Sequence, residues 1–368
     1  MKYILAFLTF AFFGFNSASA FELPKKIGEH VFGVELTGFE IREDSLTSKG
    51  TSIVIGGNFN YQIDDSLKLK LSPVASFVSG QQTSRDPQAP LSNSIYLKEA
   101  SAILSPTENL QLMAGSLRQK EFLPGLVGYH RSFPAAGLFY NYNISEKAYF
   151  TLNGQYAVPT SSGLATSQSD FSSTSSLLSG ALALHLNFLE SNKAMLSVAH
   201  FKFKNLSSQA ANDSLARGNT VISPSANTYY FANQYEGSEV TLTNKTTFNE
   251  QFNFDVGLSF VENSKVAKSS ARGYLISGSP GYFLNSKDLI RFKYELYRVH
   301  TDAFVAVFAD PTRGRPNRKG ERFSLSLQRM NYEIEVIYSY SKVLKQSPFQ
   351  NNDRALFLNL FIERLAVF

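Results

Sequence analysis

The chain has 368 residues, no cysteine and a net charge of +5. That length allows one large domain or two small ones. It excludes a disulfide framework or thiolate metal site, and the charge is too mild to imply a nucleic-acid partner. Aromatic residues are abundant, with 32 Phe and 18 Tyr, although the mean hydropathy is only −0.14.

The first segment, Met1 to Ala20, reads MKYILAFLTFAFFGFNSASA. Lys2 gives a positive start, Ile4 to Phe15 an apolar run, and Ala18-Ser19-Ala20 a small-residue cleavage site. Together they predict a secretory signal peptide removed after Ala20, leaving residues 21–368 as a single domain. A membrane anchor is the weaker alternative, because the apolar run is short for a bilayer core that needs roughly 20 helical residues.

After Ala20 no apolar run is long enough to cross a bilayer as a helix. Many segments instead alternate with period two. Leu67, Leu69 and Leu71 alternate with Lys68 and Lys70; Phe252, Phe254, Val256, Leu258 and Phe260 with Asn253, Asp255, Gly257 and Ser259. Ile290, Phe292, Tyr294 and Leu296 alternate with Arg291, Lys293 and Glu295, and Tyr332, Ile334, Val336, Tyr338 and Tyr340 with Glu333, Glu335, Ser339 and Ser341. One such segment fits any half-buried sheet. A long series with aromatic ends fits a transmembrane β-barrel. Strands are expected at 31–42, 50–62, 67–79, 93–104, 109–118, 134–144, 147–158, 175–188, 193–204, 236–248, 251–262, 270–283, 288–300, 320–330, 332–343 and 354–368. The facing of 93–104, 193–204 and 270–283 is ambiguous. Short polar turns and longer linkers take turns along the chain, as an up-and-down barrel requires when turns lie on the periplasmic side and loops outside. The fold class is therefore all-β: an antiparallel up-and-down transmembrane barrel of about sixteen strands.

The last segment, Leu356 to Phe368, reads LFLNLFIERLAVF. Leu356, Leu358, Leu360 and Ile362 share one face with Ala366 and Phe368. Lipid offers no hydrogen-bond partners, so the sheet must close on itself, and this segment is expected to pair with the first strand. Here the chain resembles bacterial outer-membrane barrels, departing from them at Arg364 and Ala366. The resemblance implies that the terminal Phe368 is read by the barrel-insertion machinery. The hairpin YLKEASAILSPTENLQLMAGSLRQKEFLPG resembles porins, including the phosphate-selective type. That likeness implies a third outer loop folded into the lumen, a homotrimer, and contact with outer-membrane lipid and lipopolysaccharide. The loop would be 119–134, with Lys120, Glu121, Tyr129, His130 and Arg131 at the constriction.

The alternation aims Glu35, Lys68, Lys70, Lys245, Asp255, Arg291, Lys293, Glu295, Glu333, Glu335 and Glu363 at the lumen. Glu35, Glu333, Glu335 and Glu363 form an acidic strip across the closing strands, flanked by the basic groups of 67–79 and 288–300. A second loop, DPTRGRPNRKGER at 310–322, carries Arg313, Arg315, Arg318, Lys319 and Arg322 and reads as a solvated outer loop or one lying against lipopolysaccharide phosphates. No hydrolase, zincin, P-loop or EF-hand pattern occurs. His30, His130, His185, His200 and His300 lie far apart, with none at metal-ligand spacing. No enzyme activity, cofactor, metal or nucleic acid is expected. The reading is a passive outer-membrane porin for small hydrophilic solutes with weak anion preference. A substrate-selective or hydrophobic-compound transporter, and an outer-membrane enzyme or adhesin, are the alternatives.

Overall fold

A computed structural model describes residues 31–43, 46–82, 93–128, 132–160, 174–189, 191–225, 228–310 and 314–365. Residues 1–30, with the expected signal peptide, and Tyr129, His130, Arg131, Arg313 and Phe368 lie outside the described residues. Eighteen strands occur in chain order: β1 (Val31–Glu43), β2 (Leu46–Gln62), β3 (Leu67–Gln82), β4 (Ser94–Thr107), β5 (Leu110–Arg118), β6 (Ser132–Ser145), β7 (Ala148–Ala157), β8 (Ser176–Leu189), β9 (Asn192–Lys204), β10 (Val221–Ser225), β11 (Thr228–Phe231), β12 (Glu236–Thr247), β13 (Phe252–Asn263), β14 (Arg272–Phe283), β15 (Asp288–Val299), β16 (Arg318–Arg329), β17 (Tyr332–Val343) and β18 (Asp353–Leu365). Sixteen of them form a closed barrel; β10 and β11 form a separate hairpin. Every neighbouring pair is antiparallel, and β18 closes onto β1 with Leu36 opposite Leu360 and Phe39 opposite Phe357. No barrel strand is left with an unpaired edge, which is what a lipid environment demands.

The alternation becomes two faces. Leu36, Ile53, Ile55, Leu69, Leu71, Leu112, Leu138, Leu182, Val198, Leu242, Leu258, Ile276, Phe292, Leu325, Val336 and Leu358 are exposed apolar residues, and together they make an outward belt. The charged and polar members of the same strands face inward. β4 breaks the simple rule. Its register against β3 shifts between Ser72 and Pro73, so Ile95 and Leu97 are exposed on one parity and Leu104 on the other, while Glu99 and Ser101 are buried. That shift is the physical cause of the ambiguous facing of 93–104.

The connections sort by length. At one end lie tight turns, such as Asp64, whose side chain accepts hydrogen bonds from Ser66 N at 2.7 Å and Leu67 N at 2.8 Å. The Ser66 hydroxyl, which also donates to it at 2.8 Å, and these two N–H groups hold the Asp64 carboxyl below its usual value. At the other end lie the long connections, and three of them carry further structure. The 205–235 connection carries β10, β11 and a helix, Ser208–Leu215, capped by Ser207, which accepts from Ala210 N. The 300–317 connection holds a short 3-10 turn, Ala306–Phe308. The 119–128 segment begins with one helical turn, Gln119–Phe122. The expectation of a solvated basic loop at 310–322 is corrected. Arg315 and Arg318 are buried, because both pair with the buried Asp353 at 2.5 and 2.8 Å. Lys319 and Arg322 lie within β16 and face opposite sides.

Candidate functional site inside the barrel

Two groups of charges sit on the inner face. In the first, Glu99 of β4 receives Lys70 of β3 at 2.9 Å and Arg118 of β5 at 2.9 Å, and Lys70 also approaches Glu121 at 3.9 Å. In the second, Glu295 receives Lys293 at 2.8 Å and Arg322 at 3.4 Å, with Arg291 and Asp255 3.7 Å apart beside it. Burial is unequal within each group. The side chains of Glu99 and Glu295 are 0% and 2% exposed, whereas Lys70, Arg118, Lys293 and Arg322 are 23%, 23%, 35% and 17% exposed. The acids are therefore tucked behind the bases, and the cations present the accessible surface. Burial is also what pushes the Glu121 carboxyl above its ordinary value, with Lys70 opposing.

Of the other wall residues named from the sequence, Glu35, Lys68, Lys245, Glu333 and Glu335 fall on the same face. Thr37 donates to Glu35 at 3.2 Å, Asn359 to Glu335 at 3.4 Å, and Lys245 stands opposite Asp255 in the β12–β13 register. Lys68 pairs in register with Gln62 and Glu333 with Gln328. Glu363 is placed only by its backbone, opposite Gly33. Glu35, Glu333 and Glu335 lie on β1 and β17, which flank β18, while the bases of β3 and β15 are engaged by Glu99 and Glu295.

The 119–128 segment makes contacts far from its own strands. The backbone N–H groups of Leu126 and Val127 donate to Glu239 of β12, the latter at 3.4 Å, and β12 stands five strands away from β5 around the sheet. Gly125 lies so close to the Glu239 carboxylate that a Cβ there would collide with it. Phe122 rests on Gly137, where an added Cβ would meet its ring at 2.8 Å. Leu123, Leu126 and Val127 then join a buried apolar cluster with Phe133, Phe201, Phe203, Phe304, Val305 and Phe308. Phe308 packs on Phe133 and Phe203 with ring centroids 5.2 and 5.7 Å apart.

A polar tie joins the 205–235 and 300–317 connections. Asp302 accepts from Thr220 N at 3.0 Å, Thr220 Oγ1 at 2.7 Å and the Tyr235 hydroxyl at 2.9 Å. Burial and this carboxylate raise the Tyr235 hydroxyl well above its ordinary value. Asn219 donates to the carbonyls of Thr301 and Phe304 and accepts from Ala306 N. Among the described residues no three His, Asp or Glu side chains converge as a metal set.

Sequence reasoning missed Glu99, Arg118, Arg322, Glu239 and Asp302. Period two alone places Glu239 and Arg322 inward. Glu99 depends on the β3–β4 register shift, and Asp302 on the fold of a loop without periodicity.

No protein-family profile matches the chain, and no curated protein matches it. Solved structures do. OprB of Pseudomonas putida aligns over 92% of this chain and 94% of that one, with a TM-score of 0.59 at 10% identity. OmpF of Salmonella typhi, solved in complex with daunomycin, aligns over 94% and 99% with a TM-score of 0.54 at 12% identity. The trimer form of OmpT, an outer-membrane protein of Vibrio cholerae, aligns over 92% and 100% with a TM-score of 0.50 at 12% identity. The fold is that of the sixteen-stranded outer-membrane porins.

Proposed function

We propose that the chain is an outer-membrane porin, exported by cleavage after Ala20, that passes small hydrophilic solutes and ions by diffusion. The supporting observation is the inner wall. Two charged groups on β3–β5 and β13–β16 keep their cations partly exposed, and a wall of partly exposed charge needs water beside it. The 119–128 segment narrows the passage from the third outer connection, and its contact with Glu239 supports that role. The water path then follows the mid-strand charges, while the apolar cluster packs at the long-loop ends of β6–β9 and β13–β15. Because Glu99 and Glu295 are screened by their partners, the exposed surface is cationic and the preference is weakly anionic. Lys68, Lys70, Lys245, Arg291 and Lys293 act as lining bases; Glu35, Asp255, Glu295, Glu333, Glu335 and Glu363 as lining acids. Lys120 and Glu121 border the narrowing. No residue is assigned a catalytic role.

The partners follow from the same reading. Phe368 is the residue that serves the insertion machinery. A homotrimer is supported by three small outward residues, Ala102, Ala114 and Ala136, in register across β4, β5 and β6. Lipid and lipopolysaccharide surround the remaining wall. Reversal potentials in a salt gradient test the function. A mild anion preference supports it, and a clear cation preference refutes the assignment of the wall.

A second reading has its own observation. The buried cluster around Phe304 and Phe308 closes part of the outer half, as suits a selective transporter that opens only for its substrate. Steps of current in the absence of any solute decide for the porin; their absence decides for the transporter.

A further inference from the structure

β9 and β12 place one histidine and one serine side by side on the outer surface of the barrel. His200 stands opposite Ser238 in the register of these strands, and His200 Nδ1 lies 3.4 Å from Ser238 Oγ. Both residues are exposed. They share the outward parity of Val198 and Val240, which belong to the apolar belt. In the tautomer that carries its proton on Nε2, Nδ1 accepts from the serine hydroxyl. That is the contact through which a base activates an oxygen nucleophile.

The pair has a charged side and an aliphatic side. Two residues nearer the long-loop end, Lys202 stands opposite Glu236 and pairs with it at 2.8 Å. Glu262, opposite Ser238 on β13, is held by Arg272 at 3.1 Å. Toward the other end Val198, Leu196, Val240 and Leu242 are exposed. The pair thus lies where charged side chains give way to the belt, which is the depth of a lipid's ester groups. Along the wall from His200, the next two outward positions in the same row are Gly180 of β8 and Gly154 of β7. A Cβ at either would meet only backbone atoms, so a shelf without side chains runs beside the histidine. Two residues further from the long-loop end, Leu182 and Leu152 open an outward pocket of about 240 Å³, lined also by Tyr140, Tyr142 and Phe150.

We propose that Ser238 and His200 hydrolyse a fatty-acyl ester of a membrane phospholipid, whose chain lies along the Gly180–Gly154 shelf with its end in the pocket. The activity rests on the outer-membrane reading and is separate from the channel, which uses neither residue. Ser238 Oγ attacks the ester carbonyl carbon while His200 Nδ1 takes the hydroxyl proton. The Lys202 ammonium, two residues from His200 on the same face, supplies positive charge beside the oxyanion so formed. The bond from the carbonyl carbon to the alcohol oxygen then breaks, Nδ1 gives its proton to that oxygen, and the lysophospholipid leaves. Water attacks the acyl group on Ser238 and passes a proton to Nδ1. The fatty acid departs as the proton returns to Ser238 Oγ, so one ester and one water become one alcohol and one acid.

Full-length protein in mixed micelles of mild detergent and dioleoyl phosphatidylethanolamine tests this by release of oleic acid. Wild type should release acid and lysophospholipid in equal amounts. Ser238→Ala should release none above background, and His200→Asn should be slower by on the order of 100-fold or more. An alkyl fluorophosphonate should add its mass to the peptide holding Ser238 in wild type and leave Ser238→Ala unlabelled. Gly154→Leu, which sets a side chain on the shelf, should slow the dioleoyl lipid and leave p-nitrophenyl acetate, a short-chain ester, unaffected. Heat-shifted migration of each variant shows that its barrel has formed. No release by wild type, equal release by Ser238→Ala, or a label on another serine overturns the proposal, and equal lipid hydrolysis by Gly154→Leu overturns the placement of the chain. Bilayer conductance separates the two claims: a wild type that conducts but releases no acid refutes the esterase alone, and one that releases acid without conducting refutes the channel alone.

Discussion

Glu295 touches two cations, so removing one leaves it paired. Lys293→Gln is thus expected to fold normally and to move the reversal potential toward cations, because an exposed base is lost while Arg322 still holds Glu295. Lys70→Gln and Arg118→Gln likewise leave Glu99 with one partner, whereas the double variant strands a buried carboxylate, at a cost of about 3–5 kcal/mol; reduced barrel yield is the expected readout. Glu121 gives the pH dependence. Its pKa is raised by burial, so on acidification it loses its charge before an ordinary glutamate does. Anion preference should therefore grow as pH falls through that raised value, and Glu121→Gln should remove the step in a series of reversal potentials. Glu239→Ala leaves the N–H groups of Leu126 and Val127 without their acceptor, costing about 1–3 kcal/mol. Conductance and its noise should both rise. Glu239→Gln, which keeps a carbonyl acceptor, should behave closer to wild type.

Among the elements, β18 carries the closure, and its two faces predict opposite responses. Leu358 lies mid-strand on the outward face. Leu358→Arg should destabilise the barrel by about 2–4 kcal/mol, seen as a lower unfolding midpoint on a heat-shift gel. Asn359, buried on the inner face, should accept Ser with little effect on that midpoint. The strands were legible in the sequence because the lipid belt imposes period two on one face and the lumen polarity on the other. The inner placement of Lys70, Arg291 and Lys293 follows directly from that rule. Glu99 was not legible, because a register shift, invisible to periodicity, turns it inward. Nor were Arg315 and Arg318, since a run of basic residues reads as solvated until Asp353 is known to face it. The hairpin of β10 and β11 lies in a connection whose composition resembles any long loop.

At the scale of the whole molecule, the closed sheet carries charges with accessible cations at mid-strand, and an apolar cluster packs at the long-loop ends of β6–β9 and β13–β15. Purified protein in a planar bilayer under a salt gradient tests that division most directly. The account predicts stepwise current without any added solute and a reversal potential on the anion side, shifted toward cations by Lys293→Gln. Silence until a substrate is supplied, or a cation preference that Lys293→Gln leaves unmoved, would contradict a passive water path along the charged wall.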